Sequence, residues 1–220
     1  MTKPLRLGIA GLGTVGVGVI KIIQNKLSLL EARTGKQILI SAVTAKSKTK
    51  DRGIDLSPYQ WERDPASLAN REDIDVFIEL IGGHEGAAKE AVEIAISKGK
   101  NVVTANKALL AHHGHELALK AEENGSILRF EAAVAGGIPV IKSLTEGLAG
   151  NSINRIMGVM NGTCNYILTR MESSGLSYEE VFSEANELGY LEADPNLDIG
   201  GIDAAHKLSI LSSIAFGTEL

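Results

Sequence analysis

The chain opens with LRLGIA, then GLGTVG, then a helical pattern running to about residue 34. A compact apolar run that breaks at glycine and reopens as a helix leaves few folds available. Gly11, Gly13 and Gly16 hold the G-x-G-x-x-G spacing. The first glycine permits the tight turn, the second lets a pyrophosphate approach the backbone, and the third lets helix and strand pack closely. The helix N-terminus then offers unpaired N–H groups to an anion. Gly11, Gly13, Thr14, Val15 and Gly16 are therefore candidate residues for binding a dinucleotide. The spacing alone is weak evidence, and close packing without a ligand is its alternative; the strand–turn–helix context makes it specific. Val15, Val19, Ile22 and Ile23 are expected on the buried face of the first helix.

Beyond this unit the same rhythm repeats. ILISAVTA, IDVFIELIGG, NVVTAN and SILRFEAAV read as strands. One helix carries Ala88, Ala91, Val92, Ala95 and Ile96 at i, i+3, i+4 spacing before Gly99, and another spans Ala108 to Glu123. Alternating strands and helices predict an α/β fold, a doubly wound parallel sheet with helices on both faces. After AVAGGIPV the rhythm changes. Pro139 suits the first turn of a helix, and SINRIMGVM reads as a strand. Helices follow around Cys164 to Met171 and Tyr178 to Leu188, the second opened by Ser177 and Glu180 as a capping box and closed by Gly189. A boundary between about residues 132 and 140 divides the chain into domains 1–135 and 136–220. The final apolar helix, HKLSILSSIAF, has little to pack against, so the chain is expected to be a fragment or to receive part of its core from elsewhere.

A net charge of −5 and the lack of an extended basic footprint exclude nucleic acid as an expected partner. No apolar run is long enough to cross a bilayer. The polar start Met1-Thr2-Lys3-Pro4 shows no signal peptide, and the single cysteine, Cys164, fits a reducing, cytoplasmic setting. Cys164 reads as a small buried thiol. His112, His113 and His115 lack the i, i+4 spacing of a helical metal pair and read as surface histidines.

Three further stretches carry chemistry. The second strand ends in Ala45-Lys46-Ser47-Lys48-Thr49-Lys50-Asp51-Arg52, with no early acid to take a ribose 2′-hydroxyl. Such a loop suits a 2′-phosphate, so NADP is favoured over NAD through Lys46 and Lys48, with Lys50 or Arg52; a solvated basic loop is the alternative. Lys107 enters a helix at the carboxyl end of a strand, where the helix dipole disfavours a cation but where such sheets bind ligands. LEADPNLDIGGIDAAHKL puts Glu192, Asp194, Asp198 and Asp203 ahead of Lys207, which begins an apolar helix. Asp194 and Asp198 are also ordinary turn residues. Asp203 also reads as a helix N-cap, or as an i, i+4 ion-pair partner of Lys207.

GLGTVG, TANKALL, EAAVAGGIPVI, NGTCNYIL, LGYLEADP and GIDAAHKL, in this order, resemble homoserine dehydrogenase over essentially the whole chain. The resemblance implies a Rossmann-type sheet followed by part of an α+β substrate and dimerisation domain. It implies NAD(P)-dependent interconversion of L-homoserine and L-aspartate 4-semialdehyde, in the pathway to threonine, methionine and isoleucine, by a cytoplasmic homodimer. Positions matching Glu192 and Asp203 take the amino and hydroxyl ends of homoserine, and Asp198 matches a further acid of that pocket. Lys207 matches the proton donor at the reacting carbon. Lys107 matches a contact to both cofactor and substrate, Thr104 lies in the same cofactor-binding segment, and Gly189 matches a backbone contact to the nicotinamide. Glu131, with the carbonyls of Val134, Gly136 and Ile138, matches a monovalent cation site, usually sodium. Family chains are much longer than this one. A truncated, weakly catalytic NAD(P)-binding module and an oxidoreductase of another amino-acid semialdehyde are the alternative functions.

Overall fold

The computed structural model describes residues 3–190 and 200–219. It divides into two compact units, Met1–Lys142 and Ser143–Leu220.

The first unit is a six-stranded sheet built from β1 (Leu5–Ala10), β2 (Ile38–Thr44), β3 (Gln60–Trp61), β4 (Val76–Glu79), β5 (Asn101–Thr104) and β6 (Leu128–Arg129), in the order β3-β2-β1-β4-β5-β6. Every neighbouring pair is parallel, as the alternation of strands and helices predicts. The order reverses beside β1, and ligands of such Rossmann-type sheets bind outside the carboxyl ends at that point.

Strand alternation sends side chains to two cores. Leu7 and Ile9 of β1, with Val76 and Ile78 of β4, pack with α1 (Thr14–Thr34). Ala10 and Phe77 face the other way, into a core shared with α2 (Pro65–Asn70), α3 (Ala87–Ser97) and α4 (Lys107–Glu123). Each large apolar side chain fully buried in this way contributes about 1.5–3 kcal/mol. The five expected core residues of α3 are all buried.

The face of α1 differs from expectation. Gly16 and Ile20 are buried, Val19, Ile23, Leu27 and Leu30 pack beside them, and Val15 and Ile22 point to solvent. Gly16 sets this rotation, because a Cβ there would stand 1.9 Å from the Gly11 carbonyl oxygen. The one residue that can touch the loop must face it.

Two short elements escape the sequence pattern, β3 and α2. Helix α2 is nonetheless signalled by Asp64-Pro65: Pro65 occupies the first turn, and the Asp64 carboxylate accepts the Ser67 N–H at 2.6 Å. SILRFEAAV is a strand only at Leu128–Arg129. From Glu131 the chain turns helically as α5 (Glu131–Val134). It leaves the ladder because the Glu131 carboxylate accepts the N–H groups of Ile141 and Lys142, opening α6 (Val140–Lys142). SINRIMGVM forms no ladder among the described residues, and Met157 and Val159 are 77% and 74% exposed. A β-propensity becomes a strand only when a neighbour supplies hydrogen bonds.

At the amino ends of the strands, Asp75 accepts from Arg6 N, Nε and Nη2 at 2.9, 3.0 and 2.9 Å and from Lys3 Nζ at 3.0 Å. The Arg6 hydrogen bonds hold the Asp75 carboxyl far below the usual carboxylate range. A depressed carboxylate pKa gives stability that is complete above the unfolded value near 4 and lost as pH falls. Melting temperature should therefore drop more steeply from pH 4 to 2 in the native protein than in Asp75→Asn; parallel curves would show that the cluster contributes nothing.

In the second unit, a π-type turn (Ser143–Gly147) precedes α7 (Gly162–Ser174), α8 (Tyr178–Glu187) and α9 (Ile202–Phe216). Ile167, Val181 and Ala185 form a small core covered by Tyr166, Met171 and Phe182. Both bonds of the Ser177–Glu180 capping box are present. Gly189 follows α8 at φ 74°, in the left-handed region that suits glycine.

Candidate functional site

In the first unit the glycine loop leaves the carboxyl end of β1, and the Gly11 N–H donates to the Thr44 carbonyl at the end of β2 at 2.9 Å. Gly11 has φ 99°, and a Cβ there would lie 2.2 Å from the Leu80 carbonyl oxygen. Gly13 is the N-cap of α1 and has nothing within 4 Å of an added Cβ. Close contact at Gly11 and Gly16 with open space at Gly13 is the arrangement a pyrophosphate at a helix N-terminus requires. Thr14 and Val15 form the exposed first turn of α1, where backbone N–H groups lack intrahelical partners.

A cavity of about 480 Å³ opens beside this loop, lined by Gly11, Gly13, Lys46, Lys50, Arg52 and Arg63 among others. Arg52 organises its basic side. The guanidinium donates to the carbonyls of Leu12 (3.1 Å), Ser47 (2.6 Å) and Lys50 (2.7 Å), and lies 5.7 Å from the Trp61 ring centre. Of the basic residues named from sequence, Lys46, Lys50 and Arg52 line the cavity, whereas Lys48 lies on the exposed loop outside that lining. Sequence reading missed Arg63. Its signal was its place between the end of β3 and the Asp64-Pro65 helix start.

Of a second feature, sequence reading named only Thr104. Thr44, Glu79 and Thr104 end β2, β4 and β5, and all three are buried. Register aligns Thr44 and Glu79 with Ala10, and Thr104 with Glu79, so they make one polar row across the carboxyl rim. Glu79 Oε1 accepts the N–H groups of Ile81 (2.7 Å) and Gly82 (3.1 Å), and Oε2 accepts the Thr104 hydroxyl (2.5 Å). Thr104 Oγ1 accepts the Asn106 N–H (2.9 Å). Asn106 caps α4 by accepting from Leu109 N–H and donates its amide to the Gly83 carbonyl (2.6 Å). Lys107 is the next residue, the first of α4. Thr104 is thus buried beneath the rim. The signal was an acid or threonine closing an apolar strand in AVT, FIE and VVT.

Glu131, expected with the carbonyls of Val134, Gly136 and Ile138, uses one lone pair of each carboxylate oxygen for α6. The Ile138 carbonyl accepts the Val140 N–H at 2.8 Å. Hard oxygen donors of this kind suit a small cation, and each carboxylate oxygen keeps a second lone pair. Among the described residues no group of three or more His, Cys, Asp or Glu side chains is arranged for a metal. His113 bonds Glu85 at 2.8 Å and His112 stacks on His84, so these histidines are engaged in local contacts. Cys164 is half-buried.

In the second unit Asp203 is 3% exposed. Its Oδ2 accepts from Lys207 Nζ at 2.8 Å and from the Asn161 amide at 2.9 Å. Lys207 Nζ also donates to the Met160 carbonyl at 2.9 Å. An ammonium has three donors, and these bonds use two. Asp203 is not the N-cap of α9; Gly201 is, with φ 72°, so Asp203 falls in the first turn and faces inward. Asn161 was missed. It caps α7 by accepting the Cys164 N–H and turns its amide to Asp203, 42 residues away in sequence. Glu192, Asp194 and Asp198 lie outside the described residues.

Residues 11–131 match the family described as the NAD binding domain of homoserine dehydrogenase, and residues 139–220 match the homoserine dehydrogenase family proper. The homoserine dehydrogenase of Neisseria gonorrhoeae is 49% identical over 99% of this chain and 50% of its own length. The crystal structure of one from Thiobacillus denitrificans superimposes with a TM-score of 0.93 at 44% identity, over 99% of this chain and 50% of that one. A hyperthermophilic archaeal homoserine dehydrogenase in complex with NADPH gives a TM-score of 0.85 at 31% identity, over 98% of this chain and 71% of that one. The chain thus spans about half the length of the curated relatives it matches. Since the matches run through both units, taking in the glycine loop of one and the Asp203–Lys207 pair of the other, the chain belongs to the homoserine dehydrogenase family.

Proposed function

We propose that the protein built on this chain interconverts L-homoserine and L-aspartate 4-semialdehyde with NADP(H), in the pathway to threonine, methionine and isoleucine. The observation that carries this reading is Lys207: an ammonium held by a buried carboxylate and a backbone carbonyl, with a further N–H to give. When bound, the nicotinamide supplies or takes the hydride. In the reducing direction the aldehyde oxygen becomes an alkoxide, and Lys207 stabilises and protonates it; in the oxidising direction the amine accepts the hydroxyl proton. Asp203 and Asn161 keep the ammonium aimed, with Asp203 beside the hydroxyl end of the substrate. Glu192 and Asp198 take the substrate ammonium, Lys107 contacts cofactor and substrate, and Gly189 lies against the nicotinamide. A sodium ion at Glu131 with the carbonyls of Val134, Gly136 and Ile138 belongs to the same reading, as does a cytoplasmic homodimer.

NADP(H) is preferred because Lys46, Lys50 and Arg52 line the cavity beside the glycine loop. Homoserine-dependent reduction of NADP⁺ by the natural protein is the test of the reaction, and absence of turnover with homoserine overturns it. For the preference, replacing Lys46 and Lys50 together by Ala should weaken NADPH binding at least tenfold, the scale of a lost charge-assisted bond, while NADH binding hardly changes. Equal losses for both cofactors would remove the 2′-phosphate assignment.

A further inference from the structure

We propose that Glu79 is a positioning residue for this reaction, fixing both the loop after β4 and the start of the helix that carries Lys107. The inference rests on the dehydrogenase reading above. Glu79 is fully buried, yet its side chain bonds no other ionisable group among the described residues: its partners are two backbone N–H groups and one hydroxyl. The two backbone N–H groups both donate to Oε1, and the Thr104 hydroxyl meets Oε2. Burying such a group is costly, and an apolar side chain would satisfy the core. What the carboxylate secures is local. Gly82 and Gly83 have φ of 86° and 84°, and two consecutive glycines are the most freely moving backbone available. Glu79 holds Gly82 by its N–H and Asn106 holds Gly83 by its carbonyl. Thr104 links the two clamps, donating to Glu79 and accepting from Asn106. Leu80 and Ile81 line the dinucleotide cavity, and Gly11 packs on the Leu80 carbonyl. One side chain therefore sets the wall of the cofactor cavity and, through Thr104 and Asn106, the N-terminus from which Lys107 extends.

The chemistry predicts which substitutes serve. A glutamine can accept Ile81 and Gly82 through its oxygen, while its amide donates to Thr104, whose hydroxyl then turns. Alanine leaves all three donors unpaired. In the longest natural form of the protein, Glu79→Ala should lower kcat about 100-fold, the scale of a misplacement near 1 Å, and Glu79→Gln should recover most of that loss. If Glu79 acts through Lys107, then adding Glu79→Ala to Lys107→Met should cost less than about threefold more. In the protein without cofactor, amide hydrogen exchange at Ile81, Gly82 and Asn106 should rise in Glu79→Ala and stay near native in Glu79→Gln. Should Glu79→Ala not fold, Thr104→Val removes the central hydroxyl at constant shape and should raise exchange at Asn106. Losses of Glu79→Ala and Lys107→Met that multiply independently, or exchange at Ile81 and Gly82 unchanged by Glu79→Ala or at Asn106 by Thr104→Val, overturn the proposal. A native protein without homoserine turnover would overturn the reaction instead, and the exchange data would still decide whether Glu79 fixes the loop.

Discussion

Lys207→Arg is expected to keep the second unit folded while reducing turnover by about 10²–10⁴-fold. The guanidinium can still pair with the buried Asp203 carboxylate, but it does not release a proton in proteins and so cannot serve as acid or base. Lys207→Met is expected to stop turnover to a similar extent and also to destabilise. It leaves Asp203 buried with the Asn161 amide but without its cation, and a lost charged hydrogen bond costs about 1.5–3 kcal/mol. The arginine variant therefore separates chemistry from folding where the methionine variant mixes them. Turnover, NADPH titration and thermal melting on the two variants provide the comparison. An arginine variant retaining more than about a third of native kcat would mean that Lys207 only holds charge.

At the glycine loop the expected results divide in the opposite way. Gly13→Val should abolish NADPH binding, by about 100-fold or more if the side chain occupies the phosphate position, with little change in melting temperature. No atom lies within 4 Å of the added Cβ, and φ of −79° suits any residue. Gly16→Ala should lower melting temperature by several degrees. Its Cβ would meet the Gly11 carbonyl at 1.9 Å, so helix and loop must separate, and forced overpacking costs about 1–3 kcal/mol. If Gly13→Val binds NADPH as the native protein does, the pyrophosphate does not lie against this loop.

The features legible in the sequence are those whose signal is local and repeated. The buried stripe of α3, the capping box of α8 and the close packing of Gly11 and Gly16 can each be read within about a dozen residues, and the structure matches each of these. Other features depend on partners distant in the chain. The rotation of α1 follows from a contact between Gly16 and Gly11, and no hydrophobic count reveals it. SINRIMGVM has strand composition but no neighbour to bond among the described residues. Glu79 gains its meaning only when register sets it beside Ala10 and Thr104. Lys207 stands out in sequence, whereas Asn161 helps to hold its counter-ion from 42 residues away.

The parallel sheet also gives the first unit two ends with different duties. Asp75 precedes β4 and Glu79 ends it, about 13 Å apart at ordinary strand rise. The lower residue fastens β1 to β4 through Arg6, while Lys100 donates to the Ala69 carbonyl and the Asn101 side chain accepts the Ile127 N–H. The upper residue shapes the ligand rim. At that separation, without shared partners, effects of substitution add. Cofactor choice can therefore be altered along one margin while lost stability is restored along the other, so the binding site can change during evolution without loosening its own foundation.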